Sequence, residues 1–224
     1  MPGDNMKRLF FAMLITIIMV LSHTAPLLQA EEMAKDYSGL IGMAGFSDTL
    51  LANHFKLYQG YVKNTNTIKD KISLLSNEKK YNTPEYAELK RRLAWEFNGM
   101  LLHEYYFENL GGTGVINAKS RLHKKIVENF GSFDNWRQDF IATGLIRGIG
   151  WVVLYWEPAR QRLANYWINE HDTGHITGAS PILVMDVFEH AYMTDYQLEK
   201  AKYIEAFFGN INWKVVQDRF DILI

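Results

Sequence analysis

Cysteine is missing from all 224 residues, which rules out disulfides, thiolate metal sites and a cysteine nucleophile. An excess of either charge is missing too. The 24 Lys and Arg against 25 Asp and Glu leave a net charge of −1, so the chain carries no basic footprint for nucleic acid. Nor is there an apolar run long enough for a comfortable membrane span. The longest, Leu9 to Leu21, follows Lys7 and Arg8, and a more polar tract after it ends in Leu28-Gln29-Ala30 before Glu31-Glu32. That is the layout of a secretory signal over residues 1–30. The expectation is a cysteine-free chain exported to the bacterial periplasm or secreted, with no membrane attachment after cleavage. An uncleaved N-terminal anchor stays open, because Leu28 is a poor small residue for cleavage. What is present is core material: 48% hydrophobic and 14% aromatic residues, in a length that allows one compact unit or two small ones.

Two patterns divide the remainder. Residues 31–115 are expected to form an N-terminal helical hairpin. Its first helix carries Leu50, Leu51, Phe55, Leu57, Tyr58 and Val62, and loses its periodicity near Asn64-Thr65-Asn66. Its second opens at Thr83-Pro84-Glu85, a cap residue with proline at the first helical position. Tyr86, Leu89, Leu93, Phe97 and Met100 then recur at spacings of three and four, and Gly111-Gly112 ends it. Residues 116–224 alternate. Helices are expected near 119–129 and 133–145, and strands over Trp151–Trp156 and Leu163–Ile168. A third strand precedes Asp186, and helices near 196–208 and 212–221 close the chain. The fold class is therefore α+β: a helical hairpin followed by an α/β domain with a small antiparallel three-stranded sheet.

The segment from Pro181 to Tyr192 carries the chemistry. An apolar run of the kind found in buried strands ends in Asp186, and His190 follows four positions later beside Glu189. A carboxylate and an imidazole so placed form half of a metal site, and the oxygen–nitrogen pair suits Fe, Mn or Zn. Seven histidines occur. His23 lies in the signal segment, and His123 in a basic helical stretch reads as a solvated side chain. His171 and His175 flank a turn with Gly174, so they do not share a helix face. His103 is not part of a zinc-protease motif, since position 107 is Phe. His103 and His54 sit on the two hairpin helices, either as hydrogen-bonded core residues or as the other half of the site. Three imidazoles with one carboxylate would leave a coordination position open.

Asp186-Val-Phe-Glu-His-Ala-Tyr192 closely resembles the D-V-W-E-H-A-Y signature of the iron/manganese superoxide dismutases. Asn98-Gly99 with His103-Glu-Tyr-Tyr-Phe-Glu-Asn-Leu110 resembles a second family motif. Phe130-Gly-Ser-Phe133, Gly148-Ile-Gly-Trp151 and Asn210-Ile-Asn-Trp213 match three more, in the family's order. The resemblance implies dismutation of the superoxide anion by one Fe or Mn ion per subunit, held by His103, Asp186, His190 and a first-helix histidine. The family's spacing of eight before the Tyr61-Val62 match points to Asn53, whereas His54 lies one step later. His54 is the expected ligand, because amide ligation is unusual for this metal class. One residue turns a helical side chain by about 100°, so a one-residue bulge is expected to restore its direction.

The resemblance also assigns catalytic roles to Tyr61, as gateway and proton relay, and to His171, as the group beside metal-bound solvent. Gly99 stands where some members place that group on the helix, so it is expected from the sheet instead. Trp151 lines the pocket, and Phe188 replaces a pocket Trp. A homodimer is implied through Glu189 and His190. The family's second interface pair is replaced by two apolar residues, Leu57 and Met193, which avoids leaving one buried polar group unsatisfied. A non-catalytic binding protein on the same fold is the alternative.

Overall fold

A computed structural model describes residues 30–224. The expected signal segment, apart from Ala30, lies outside these residues, as does His23. Helix α1 (Asp48–Asn77) starts at Ser47, whose hydroxyl accepts the Leu50 N–H, the capping interaction that satisfies an otherwise unpaired donor. The helix does not stop at Asn64–Asn66. Thr65, Ile68 and Leu75 continue its buried face, and the polar residues between them look outward. Asn66 has its own use: its amide exchanges two 2.9 Å bonds with the backbone of Glu32, tying the N-terminal strap to the helix. Helix α2 (Pro84–Glu108) is capped by Thr83 with proline in its first turn, as expected. At the crossing into the second half, a Cβ on Gly112 would lie 2.3 Å from the Ile211 carbonyl oxygen, so glycine is required there.

Helices α3 (Arg121–Phe130) and α4 (Phe133–Gly144) lead into the sheet. Strand β1 (Gly150–Glu157) pairs antiparallel with β2 (Arg162–Asn169) on one side and with β3 (Ser180–Asp186) on the other, in the order β2-β1-β3. The α+β expectation is the architecture observed. Every residue of β1 is buried, which is why it reads as a continuous apolar run rather than an alternation. The register sets Trp151 opposite Asp186, so the end of β3 meets the start of β1 where the chain enters the site.

After β3 the backbone makes a 3₁₀ turn at Glu189–Ala191, then a single helical turn, α5 (Met193–Tyr196). The helix expected from 196 begins only at Lys200, because Gln197 takes a left-handed φ of 50° and breaks it. Helices α6 (Lys200–Gly209) and α7 (Trp213–Ile222) close the structure. One continuous cluster of buried residues runs from Leu50, Tyr106 and Phe107 on the hairpin to Trp151, Val184, Phe207 and Phe220 in the second half. Each such side chain contributes roughly 1.5–3 kcal/mol by leaving water. The site lies within this cluster, where the hairpin packs on the sheet. No helix of the described residues is long and apolar enough to cross a membrane.

Candidate metal centre

Four side chains from four elements converge. His54 comes from α1, His103 from α2, Asp186 from the last position of β3, and His190 from the 3₁₀ turn. One potential ligand atom from each lies within 4.8 Å of all the others. The Asp186 Oδ2 is the focus: His190 Nε2 is 3.0 Å away, His54 Nε2 3.1 Å and His103 Nε2 3.7 Å. The other carboxylate oxygen accepts the Phe188 N–H at 2.8 Å, which fixes the plane of the group.

Helix geometry explains why His54 reaches the site. Seven residues separate it from Tyr61, and seven α-helical steps fall only about 20° short of two full turns. Both side chains therefore face inward from a helix that is regular throughout. The expected bulge is absent and unnecessary: a spacing of seven aligns the two residues on a straight helix, whereas a spacing of eight would not. Asn53 is exposed. The start of α1 is held against the turn after His190 by Asp195, which accepts both the Ser47 N–H and its hydroxyl.

The proton inventory tests whether a cation fits. His103 Nδ1 lies 2.6 Å from the Gly99 carbonyl. A carbonyl only accepts, so Nδ1 carries the proton and the neutral ring turns an Nε2 lone pair toward Asp186. That Nε2 is buried and has no hydrogen-bond partner. Burial, reinforced by neighbouring His54, holds His103 well below the usual imidazole range, so a second proton does not relieve the contact. Burial works against ionised Asp186 too, but facing His190 and His54 outweigh it and hold the carboxyl far below its ordinary value. Burial likewise lowers His54 despite its bond to Asp186. A carboxylate faced by a nitrogen lone pair calls for a cation between them. Nitrogen and oxygen ligands at about 2.0–2.2 Å from an ion stand roughly 3–4 Å from each other, which is the spacing found between each imidazole Nε2 and Asp186 Oδ2. The donor set of three imidazoles and one carboxylate fits Fe, Mn or Zn.

Beside this cluster Tyr61 Oη lies 2.7 Å from His171 Nε2, and the Trp151 Nε1–H donates to His171 Nδ1 at 3.0 Å. Because Nδ1 accepts, the proton of the neutral ring sits on Nε2 and is donated to Tyr61. The Tyr61 hydroxyl hydrogen is then free for another partner. Burial pushes His171 down to about 4, which keeps the ring neutral near pH 7. Burial also raises the Tyr61 phenol.

Residues 118–219 match the C-terminal domain of the iron/manganese superoxide dismutases. Over 192 residues the chain is 34% identical to the iron superoxide dismutase of Aquifex aeolicus, covering 84% of this chain and 90% of that protein. It is 35% identical over 183 residues to the iron superoxide dismutase of Cupriavidus metallidurans, covering 80% and 90%. The chain belongs to the iron/manganese superoxide dismutase family. A mitochondrial manganese superoxide dismutase from Glossina morsitans morsitans is 30% identical over 200 residues, 88% of each chain.

Several positions singled out by resemblance to the dismutase family surround the cluster. Phe188 stacks on His171 and His190 with ring centroids 4.8 and 5.2 Å apart. Gly99 leaves room for the Tyr61 ring, since a Cβ there would lie 2.7 Å from Tyr61 Cδ1. Glu189 and Met193 are exposed and Leu57 is half-buried. His123 is not simply solvated, for it stacks on Phe133 at 5.4 Å and is half-buried.

Two groups near the centre were not anticipated. Trp95 covers the outer side of His171 at a ring distance of 4.5 Å. Its Nε1–H donates to Glu170 at 3.1 Å, and the Arg92 guanidinium lies 4.0 Å over its ring. Tyr203 donates to the Asp186 backbone oxygen at 2.6 Å. Neither contact leaves a trace in local sequence: the Trp95 and Glu170 partners stand 75 positions apart.

Proposed function

We propose that this chain is a superoxide dismutase holding one iron or manganese ion per subunit through His54, His103, Asp186 and His190. The observation that carries the proposal is the convergence of three imidazole Nε2 atoms on one oxygen of Asp186. It occurs in a chain of the iron/manganese dismutase family. A bound iron or manganese ion supplies one-electron redox chemistry, taking two superoxide anions and two protons to oxygen and hydrogen peroxide.

The chain's own residues provide the rest. His103 is oriented by the Gly99 carbonyl, and Asp186 by the Phe188 amide, the kind of outer support that raises ligand precision and affinity. Asp186 is the one carboxylate among the four and offsets part of the ion's charge in a buried setting. Peroxide formation consumes protons, and Tyr61 with His171 holds one at the edge of the cluster. The His171 Nε2–H bond fixes the Tyr61 oxygen and leaves the phenolic proton free to be donated. The surrounding rings of Tyr106, Phe107, Trp151 and Phe188 exclude water.

The working assembly in this proposal is a homodimer joined through Glu189 and His190. Support comes from the exposure of Glu189 and from the 28% exposure of the His190 side chain, the one ligand open to the surface. The location is periplasmic or secreted, supported by the signal-like composition of residues 1–30. The test is the metal content and dismutation rate of the mature protein. Stoichiometric Fe or Mn with dismutation well above the free ion is the expected result. No activity after reconstitution with either ion would leave a non-catalytic binding protein of the same fold. Sizing at micromolar concentration decides the dimer, and a monomer sinks that part.

A further inference from the structure

Two residues on one face of β1 hold two histidines of the loop joining β2 to β3. Trp151 and Tyr155 are four apart, so their side chains leave the strand on the same side. His171 and His175 are also four apart, and each presents Nδ1 to one of them. Trp151 donates to His171 at 3.0 Å, and the Tyr155 hydroxyl lies 2.8 Å from His175 Nδ1. The second nitrogen of His175, Nε2, lies 2.9 Å from the backbone oxygen of His171. Since that oxygen can only accept, Nε2 carries the proton. With the Nε2 proton so placed, Nδ1 is left to accept the Tyr155 O–H.

This brace acts on a turn that is also held from outside by the Glu170 N–H, which donates to the Ile149 carbonyl at 3.4 Å, and by Trp95, which donates to the Glu170 carboxylate. Asn169 and Thr173 exchange backbone bonds of 2.8 and 3.3 Å, which closes the ends of a tight loop around Glu170, His171 and Asp172. Glu170 adopts a left-handed φ of 50°, a conformation that costs a non-glycine residue energy. The peptide following His171 is held by His175, and through it by Tyr155 in the buried central strand.

We infer that His175 is a positioning residue: it holds the peptide that carries His171 and so maintains the His171–Tyr61 hydrogen bond beside the metal ligands. The inference rests on the reading of Tyr61 and His171 as working parts of a dismutase. It assigns His175 no contact with substrate or metal.

The decisive comparison is His175→Leu against His175→Gln in the metal-loaded, full mature protein. Leucine removes both polar atoms, whereas the glutamine amide offers an acceptor and a donor at a spacing close to that of the two ring nitrogens. In His175→Leu, metal content is retained. A crystal structure then shows the Tyr61 Oη to His171 Nε2 separation opened beyond about 3.5 Å. The turnover number falls about tenfold, the low end for outer-shell partners, with KM unchanged and the midpoint potential shifted. His175→Gln restores contact, turnover and potential. Tyr155→Phe, a milder change, gives a smaller loss of the same kind and serves if His175→Leu does not fold.

The inference is overturned if His175→Leu, or Tyr155→Phe in its place, keeps both the 2.7 Å contact and wild-type turnover while only the melting temperature moves. It is equally overturned if His175→Gln is as impaired as His175→Leu. A wild-type protein without dismutase activity would sink the functional reading instead, and the Tyr61–His171 separation would still decide the role of His175.

Discussion

The two walls of the metal centre are built on different principles. The helical wall supplies His54 and His103, both with no exposed side-chain surface, set among the rings of Tyr58, Tyr106 and Phe107. Nothing on that wall carries charge toward the centre. The strand wall supplies Asp186 and His190, the charge and the one partly exposed ligand, and it is held mainly by backbone contacts. A rigid, neutral wall sets the geometry for an ion. Only the strand wall compensates an ion's charge, and charges are costly to bury without a partner.

The largest predicted effect follows from that asymmetry. Asp186→Ala leaves three imidazoles facing one another with no anion. Metal affinity is expected to fall by more than the roughly 10–100-fold typical of outer-shell changes, with activity lost alongside. Elemental analysis of the purified variant checks this. Full metal occupancy would mean that the three imidazoles hold the ion without the strand wall's carboxylate, contrary to the division drawn here.

Next comes the helical wall itself. His54→Ala removes one donor of four, so the expected outcome is loss of most bound metal in a protein that remains folded. Its neighbour provides the control: Asn53 is exposed, and Asn53→Ala is expected to stay within about 0.5 kcal/mol of wild type with metal unchanged. Reversal of the two phenotypes in parallel metal assays would show that α1 is rotated relative to the arrangement described.

The two walls also differ in how plainly their residues announce them. Asp186 and His190 stand in one uninterrupted segment after an apolar run, so that wall is readable without any tertiary knowledge. The three strands and the hairpin are readable for the same reason, because period and punctuation are local properties. The helical wall depends on rotation along a long helix. There the bulge expected for His54 is not found, since a spacing of seven from Tyr61 needs none. Asn64 and Asn66 likewise suggest an end to α1 only until the buried positions of Thr65 and Ile68 are known. The supports supplied by Trp95, His175 and Tyr203 involve pairings across separate elements, and no single-residue pattern reports them.

Gly99 sharpens the comparison at the place where the helical wall meets the proton-holding pair. A Cβ at this position would sit 2.7 Å from Tyr61 Cδ1, closer than packed carbon atoms tolerate, so Gly99→Ala must displace the Tyr61 ring or separate α1 from α2. Overpacking of this kind costs about 1–3 kcal/mol. Turnover is expected to fall while bound metal persists, because no ligand is touched. If the variant binds metal and turns over like wild type, the Tyr61 ring has room that this geometry denies it.

The smallest effect tests the strand wall's backbone support. Tyr203 Oη is 2.6 Å from the Asp186 carbonyl oxygen and 3.1 Å from Tyr106 Oη. One hydroxyl has one proton, so Tyr203 donates to the carbonyl and accepts from Tyr106. Tyr203→Phe preserves the ring packing against Phe46 and Tyr192 but leaves a buried carbonyl and a buried hydroxyl each short of a partner. The expected loss is about 1–3 kcal/mol of stability, read by denaturant unfolding. Metal content should be unchanged, because the Asp186 carboxylate is oriented separately by the Phe188 amide. A fall in metal content comparable to that of His54→Ala would show that the strand wall is not held by its own turn. In that case α6 would be a third wall of the centre, acting through the backbone of Asp186.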